Sequence, residues 1–266
     1  MESKETVLIL TPVKNAEAFL EQYFSLLYQL SYPPDLLSIA FLESDSDDHT
    51  HQKLNDKLPE LRERFRAAKL FKKDFSFRIP PHQPRWTPSI QLKRRTVMAK
   101  SRNYLLSRAL QDEDWVLWLD IDLVEYPPDI IECLLATGKE IVQPHCLNAG
   151  TGKTFDLNAW RDKGRLHLDD LRREGDLVRL HAVGGTMLFV RADVHREGLI
   201  FPPFLYGKRS PLIRNNNGMV KYREVRKRLR GEHCGELETE GLGIMAYDMG
   251  YECWGLPNLE IKHWNG

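Results

Sequence analysis

Five consecutive apolar residues, Trp115 to Leu119, lead directly into two aspartates, Asp120 and Asp122. The run is too short to cross a membrane, and it lacks the polar alternation of a half-exposed strand. It is typical of a strand buried on both faces in the middle of a mostly parallel sheet. Because ligands of open α/β sheets bind at the carboxyl ends of the strands, the two aspartates are candidate ligand contacts. Their hard oxygen atoms suit Mg²⁺ or Mn²⁺ bridging to a diphosphate.

Two earlier segments place polar groups at the same edge of the predicted sheet. Thr6–Leu10 predicts a first strand, which ends at a loop that contains Pro12. Leu37–Glu43 predicts a second strand. With the helix predicted between them, they form a right-handed, parallel βαβ unit. The polar cluster after the second strand either caps the next helix or faces the ligand crevice. The candidate nucleotide contacts from these two loops are Thr11, Pro12, Asn15, Glu43 and Asp45.

A basic segment, Gln91–Leu110, predicts a helix that leads into the Asp-x-Asp strand. Its charges either form a solvated face or capture an anion, for which arginine is well suited. Arg102 and Asn103 are the candidate nucleotide contacts of this helix. Together with the acidic and polar strand ends, the helix predicts a site for a nucleoside diphosphate and a divalent metal ion, which would neutralise the charge of a diphosphate leaving group.

The later part of the chain predicts shorter elements. Glycines Gly184 and Gly185 precede the apolar strand Met187–Arg191. They either form a turn or let a sugar approach the backbone closely, so both are candidate sugar or acceptor contacts. A helix is predicted to start near Glu238–Glu240 and to end at Gly250. No composition shift marks a boundary, and residues 1–266 are predicted to form a single domain.

Composition excludes several classes of protein. The 266 residues contain 38 basic and 38 acidic side chains, so no net field favours nucleic acid or a membrane surface. No apolar run is long enough to predict a transmembrane helix. The four cysteines show no C-x-x-C spacing, which argues against a structural zinc site. We expect a soluble chain in the form given.

Motifs spread over nearly the whole chain resemble those of the fungal Golgi α-mannosyltransferases, the family of the mannan polymerase subunits. They are Leu10-Thr11-Pro12, Arg94-Arg95, Ser101-Arg102-Asn103, Trp115–Asp122, Val183–Gly185, Val190–Arg196 with Phe201-Pro202, Glu238–Gly241, and Gly255–Asn258 leading to His263. The resemblance implies an α/β, GT-A (Rossmann-like) single domain with a mostly parallel central sheet flanked by helices. It also implies a GDP-mannose donor, a Mn²⁺ cofactor (with Mg²⁺ possible), a glycan or glycoconjugate acceptor, and retention of the α configuration.

The resemblance assigns roles to individual residues. Asp120 and Asp122 occupy the family's metal and nucleotide motif, and His263 completes the metal shell. Imidazole suits Mn²⁺ better than Mg²⁺, which supports this pairing. Glu238 and Glu240 match an acidic segment that would serve the transfer itself, with Asp122 as the third catalytic candidate. The alternative for the two glutamates is capping of a helix amino terminus.

The sequence also departs from the family. Its members usually carry a membrane anchor and stem, which are absent here, so we expect either a Golgi-lumenal fragment or a cytoplasmic relative. The segment Leu205–Glu236 is longer and more basic than in the mannan enzymes, and acceptor specificity is predicted to lie there. Homo- or hetero-oligomers are both compatible with the sequence.

Three alternative functions differ in which of these sequence features they need. A transferase using a UDP-sugar would keep the fold and the metal. A non-catalytic GT-A scaffold subunit would keep the fold alone, although the intact Asp-x-Asp and His263 argue against it. A phosphohydrolase with Asp120 as nucleophile is disfavoured, because Val124 stands where such enzymes need a small hydroxyl residue.

Overall fold

The computed structural model describes residues 5–80, 82–84, 87–208, 210–214 and 235–264. Within them, the α-helices are α1 (Leu20–Gln29), α2 (Thr50–Arg64), α3 (Pro88–Ala109), α4 (Ile130–Ala136), α5 (Leu168–Leu171), α6 (Ala192–Arg196), α7 (Pro211–Arg214) and α8 (Glu238–Asp248). The strands are β1 (Val7–Val13), β2 (Leu37–Glu43), β3 (Ala67–Lys72), β4 (Trp115–Leu119), β5 (Leu123–Glu125), β6 (Ile141–Asn148), β7 (Trp160–Arg161), β8 (Leu166–His167), β9 (Val178–Leu180), β10 (Met187–Arg191) and β11 (Cys253–His263).

One large sheet organises these elements. Its strand order is β3-β2-β1-β4-β10-β6-β11-β5, and β9 pairs with β11 beside this path. Strands β3, β2, β1 and β4 are all parallel, and β10 then runs antiparallel between β4 and β6. The carboxyl ends of β1, β2 and β4 therefore meet at one edge, as the sequence predicted, and this confirms the α/β class with helices flanking a central sheet.

Strand β4 is buried on both faces, and its alternate side chains enter two different cores. Trp115, Leu117 and Leu119 join the core that contains residues of α1, α2 and α4. Val116 and Trp118 join the core that contains residues of α3, α6 and α8. All five side chains are buried, which explains why this segment has no polar alternation.

Some boundaries differ from the prediction for identifiable reasons. Strand β1 continues through Pro12 to Val13 and does not end at Leu10, because its parallel pairing with β2 extends to Val13. On its other side, β1 pairs with β4 only as far as Leu10. The missing N–H of Pro12 therefore breaks no strand pairing with β4. The two short apolar pieces predicted at the end of the chain form one strand, β11, whose register against β6 shifts between Leu256 and Glu260.

None of the helices in the described part of the chain combines the length and the hydrophobicity needed to cross a bilayer. The segment predicted to hold acceptor specificity, Leu205–Glu236, lies mostly outside the described residues, as does Cys234. The three described cysteines, Cys133, Cys146 and Cys253, are free thiols.

A buried histidine ties β4 to α6. The indole Nε1–H of Trp118 donates to Nε2 of His195 at 3.2 Å, and His195 Nδ1 lies 2.7 Å from the Leu199 carbonyl oxygen. Because an indole nitrogen can only donate, the histidine is neutral with its proton on Nδ1. Burial lowers the pKa of His195 to about 4.

We expect Leu117→Ala to lower the free energy of unfolding by about 2–5 kcal/mol, because it leaves a cavity beside a fully buried strand. Urea unfolding measures this change. The matched control is Leu157→Ala, since Leu157 is 59% exposed and its truncation should cost no more than about 0.5 kcal/mol. Equal costs at the two positions would contradict the burial of β4.

His195 should make stability depend on pH. In the unfolded chain its pKa is about 6.5, so between that pH and about 4 the unfolded state binds a proton that the folded state does not. Stability is therefore lost as the pH falls through this window. We expect the free energy of unfolding to drop by about 2 kcal/mol more between pH 7 and pH 5 in the wild type than in His195→Gln. Parallel pH profiles for the two proteins would show that His195 is not buried in its neutral form.

Candidate functional site

The two aspartates of the Asp-x-Asp segment lie just beyond β4, at the edge where the parallel strands end. Their side chains are 28% and 29% exposed, so both are accessible to a ligand. The backbone N–H of Asp120 donates to the Thr186 carbonyl at 2.9 Å, which anchors this turn to the segment before β10. Burial raises the pKa of the Asp120 carboxyl to about 7; Arg102 opposes this shift, and Asp122 adds to it.

The structure brings His263 to Asp122, as the resemblance implied. His263 Nε2 lies 2.9 Å from Asp122 Oδ1, and the imidazole stacks on the Phe155 ring with centroids 3.7 Å apart. Burial lowers the pKa of His263, but the hydrogen bond and the charge of Asp122 together raise it by more than burial lowers it. The net shift of the pKa is therefore upward. Among the described residues, no three His, Cys, Asp or Glu side chains converge on one point in a way that could hold a metal ion.

Behind the aspartates, buried ion pairs join α3 to the start of α8. Arg95 and Arg102 lie two turns apart on one face of α3. Arg102 Nη1 pairs with Glu238 Oε1, and its Nη2 lies 3.4 Å from Asp120 Oδ1. Arg95 pairs with Glu238 at 3.3 Å and with Glu240 at 2.6 Å. These four residues, which we call the Arg–Glu cluster, are each at most 9% exposed.

Local geometry fixes the two glutamates within the Arg–Glu cluster. Glu238 has a φ of 58°, in the left-handed region that non-glycine residues seldom adopt, and its N–H donates to the Pro202 carbonyl. Glu240 is fully buried and also accepts a 2.7 Å hydrogen bond from the indole Nε1 of Trp160. Both carboxylates therefore face arginine donors. Their predicted catalytic role stays a prediction.

The predicted nucleotide loops lie side by side. Asn15 donates its backbone N–H to Ser46 Oγ at 3.0 Å, and its side-chain oxygen accepts the N–H of Asp47 at 2.8 Å. The Asp45 carboxylate accepts the backbone N–H groups of Phe75 and Ser76, each at 2.9 Å. These contacts bind the loop after β2 to the loop after β1 and to the segment after β3.

Other predicted nucleotide contacts have partners within the protein. The Thr11 hydroxyl is fully buried and lies 2.7 Å from the Tyr23 hydroxyl, while Pro12, inside β1, is half-buried. Glu43 is buried and accepts the Ser46 N–H at 3.0 Å. Asn103 pairs through both its amide atoms with the backbone of Phe201. Their roles in nucleotide binding stay predictions.

The structure explains why positions 184 and 185 are glycines, which the sequence alone does not. A Cβ on Gly184 would lie 2.0 Å from Asp156 Oδ2, and one on Gly185 would lie 2.6 Å from Arg102 Nη2. The space that a side chain would fill is thus taken by two side chains of the protein itself. The sequence does not single out Asp156 or Trp160, because no local pattern marks a carboxylate or an indole that will be buried beside the site.

The fold is that of the GT-A glycosyltransferases. A mannosyltransferase from Pyrobaculum calidifontis, solved with GDP-Man and Mn²⁺, superposes with a TM-score of 0.55 at 13% identity, covering 98% of this chain and 57% of that one. GalNAc-T7, solved with UDP, GalNAc and Mn²⁺, gives a TM-score of 0.58 at 11% identity over 100% of this chain and 45% of that one. At such identities the likeness shows the fold alone.

The chain belongs to the Anp1 family, whose model matches residues 1–168 and 163–205. The mannan polymerase II complex anp1 subunit of Schizosaccharomyces pombe is 30% identical over 98% of this chain and 64% of its own length. The mannan polymerase complex subunit MNN9 of Candida albicans is 28% identical over 100% of this chain and 76% of its own length. The chain thus spans less than two thirds of the length of the fission yeast anp1 relative.

We expect Glu238→Ala to destabilise the protein by about 3–5 kcal/mol, because it leaves a buried arginine without its carboxylate. The control is Glu174→Ala, which removes an Arg161 pair whose glutamate is 48% exposed and should cost at most about 1 kcal/mol. Urea unfolding of both variants at pH 7 gives the comparison. Similar costs would contradict the burial of the Arg–Glu cluster.

Proposed function

We propose that the chain is a metal-dependent glycosyltransferase that moves mannose from GDP-mannose to a glycan hydroxyl with retention of the α configuration. The observation that carries this proposal is the pairing of His263 Nε2 with Asp122 Oδ1 at 2.9 Å, just beyond the carboxyl end of β4 and two residues from Asp120. The named relatives support the sugar, since they are mannan polymerase subunits, and one solved neighbour is a mannosyltransferase with GDP-Man. On this proposal the chain works in the Golgi lumen when it is part of an anchored protein.

The donor atoms present fit a divalent cation such as Mn²⁺. Asp122 Oδ1 and His263 Nε2 lie together at 2.9 Å and combine a carboxylate with an imidazole, a set that Mn²⁺ accepts more readily than Mg²⁺. Asp120 would add a carboxylate beside them. The remaining ligand positions would belong to diphosphate oxygens and water, as is common for such ions in phosphate sites. When bound, the ion would neutralise the charge that develops on the departing diphosphate.

The chain's own residues would prepare that site. Arg102 lies against Asp120 and fixes the direction of its carboxylate. The two loops joined through Asn15 and Ser46 would receive the nucleoside. Glu238 and Glu240 would act near the anomeric carbon, held in place by their ion pairs with Arg102 and Arg95. Gly184 and Gly185 would contact a sugar only through backbone atoms, because both are buried and protein side chains fill the space beside them.

The second candidate function is that of a non-catalytic scaffold subunit, which the names of the relatives support. Each of the two relatives described is a subunit of a mannan polymerase complex, so this chain would bind partner subunits. A scaffold would keep the GT-A fold without a need for nucleotide binding. A transferase of a UDP-sugar would keep both the fold and the metal but change the donor.

Calorimetric titration with GDP, UDP and ADP, each with Mn²⁺ and with chelator, tests these candidates. We expect metal-dependent binding of GDP in preference to the other two. Asp122→Ala should abolish the Mn²⁺-dependent binding and leave the melting temperature unchanged. A matched control is Asp35→Ala, because Asp35 is exposed and precedes β2, at the opposite edge of the sheet.

Each other outcome has a definite meaning. Preference for UDP would discard mannose as the sugar, while wild-type affinity in Asp122→Ala would remove the metal assignment. If no nucleotide binds, the scaffold role is favoured. If GDP binds as expected, transfer from GDP-mannose to oligomannoside acceptors becomes the direct test of activity.

A further inference from the structure

A third carboxylate, that of Asp156, lies behind the Asp-x-Asp segment and makes a dense set of hydrogen bonds. Its side chain is buried, with the residue 7% exposed. Oδ2 accepts the Gly185 N–H at 2.8 Å, the Thr186 N–H at 3.2 Å and the Thr186 hydroxyl at 3.2 Å. Oδ1 accepts the N–H of Asn158 at 3.2 Å. One carboxylate thus fixes two successive backbone amides and a side chain of the segment before β10.

The same segment holds the first aspartate of the site. The Thr186 carbonyl accepts the backbone N–H of Asp120 at 2.9 Å. From the other side, Arg102 Nη2 donates to the Gly185 carbonyl at 3.3 Å and lies near the Asp120 carboxylate. The position of Asp120 therefore depends on the turn Gly184–Thr186, and that turn depends on Asp156.

Gly184 is shaped for this contact. The three atoms nearest to a Cβ built on Gly184 all belong to the Asp156 carboxylate, at 2.0, 2.3 and 2.8 Å. Its backbone N–H donates to the buried Gln143 Oε1 at 2.7 Å, so the turn cannot easily move away from Asp156. A side chain at position 184 would displace the carboxylate before it met anything else.

We propose that Asp156 is a positioning residue for the Asp-x-Asp segment, acting through the Gly184–Thr186 turn on the backbone of Asp120. This inference rests on the proposed function, because it concerns how the nucleotide and metal site is held. Asp156 acts here through its hydrogen bonds to the turn, and Gly184 serves to admit its carboxylate. Residues that orient the ligands of a metal site commonly affect metal affinity or activity by about 10–100-fold when removed.

A double-mutant cycle in the whole 266-residue chain tests the proposal, with Mn²⁺-dependent GDP affinity as the readout. We expect Asp156→Ala and Gly184→Ala each to weaken this affinity by about 10–100-fold. The double variant should be no weaker than Asp156→Ala alone, because every atom that an alanine at position 184 would meet first has then been removed. Additive losses, or an unchanged affinity in Asp156→Ala, would overturn the proposal.

A conservative variant separates positioning from a direct charge effect. The side-chain oxygen of Asp156→Asn can still accept the bonds of Gly185 and Thr186, so we expect this variant to retain affinity within a few-fold of wild type. If Asp156→Asn is as weak as Asp156→Ala, the negative charge matters more than the geometry and the proposal fails. Melting temperatures of the wild type and all four variants show whether any loss of affinity reflects unfolding, and Asp156→Asn keeps the test valid if Asp156→Ala does not fold.

The outcomes distinguish this inference from the proposed function. If the wild type binds GDP with Mn²⁺ and Asp156→Ala binds equally well, only the positioning role of Asp156 is overturned. If the wild type binds neither GDP in the presence of Mn²⁺ nor Mn²⁺ by itself, the proposed function fails and this inference fails with it.

Discussion

The site depends on the contacts that the buried guanidinium of Arg102 makes. A charge removed from water must be paired, and here the partners come from parts of the chain that are far apart in sequence. They are the Glu238 carboxylate at the start of α8, Asp120 after β4, and the Gly185 carbonyl before β10. Burial lowers the pKa of Arg102, while Asp120 and Asp156 act in the opposite direction. Because one side chain makes all three contacts, the three segments are held in a fixed relation.

The fold turns a buried strand into a precise support for polar groups. Strand β4 fills two cores at once, so its end cannot shift without disturbing both. Asp120 and Asp122 follow at the point where that support ends. Burial is the main cause of the raised pKa of Asp120, and the nearby carboxylates of Asp122 and Asp156 raise it further through charge repulsion. A divalent cation would relieve that repulsion, and this agrees with the proposed metal requirement.

Much of this arrangement could be predicted from the sequence, because buried parallel strands leave a clear apolar signal. The bounds of β2 and β4 match their predictions, and the edge where their polar residues gather follows from the βαβ rule. Strand β3 was missed because its side chains are only partly buried and carry lysines, so it has no apolar run. Strand β11 was divided because Gly255 and Pro257 interrupt its pattern, and the register shift accommodates them. His263 was found only through the family resemblance, since a lone histidine near the end of a chain has no distinctive pattern.

The contacts that sequence could not supply are those between side chains distant along the chain. Gly184 and Gly185 left two interpretations open, a turn or the close approach of a sugar. The structure adds a third, in which the absent side chains make room for Asp156 and Arg102. These two residues lie 54 positions apart, and nothing in their local sequences relates them to the glycines. Since the space beside both glycines is already filled by protein, the turn is held before any ligand arrives. A site held in this way loses little conformational freedom on binding, which is what a preorganised diphosphate site requires.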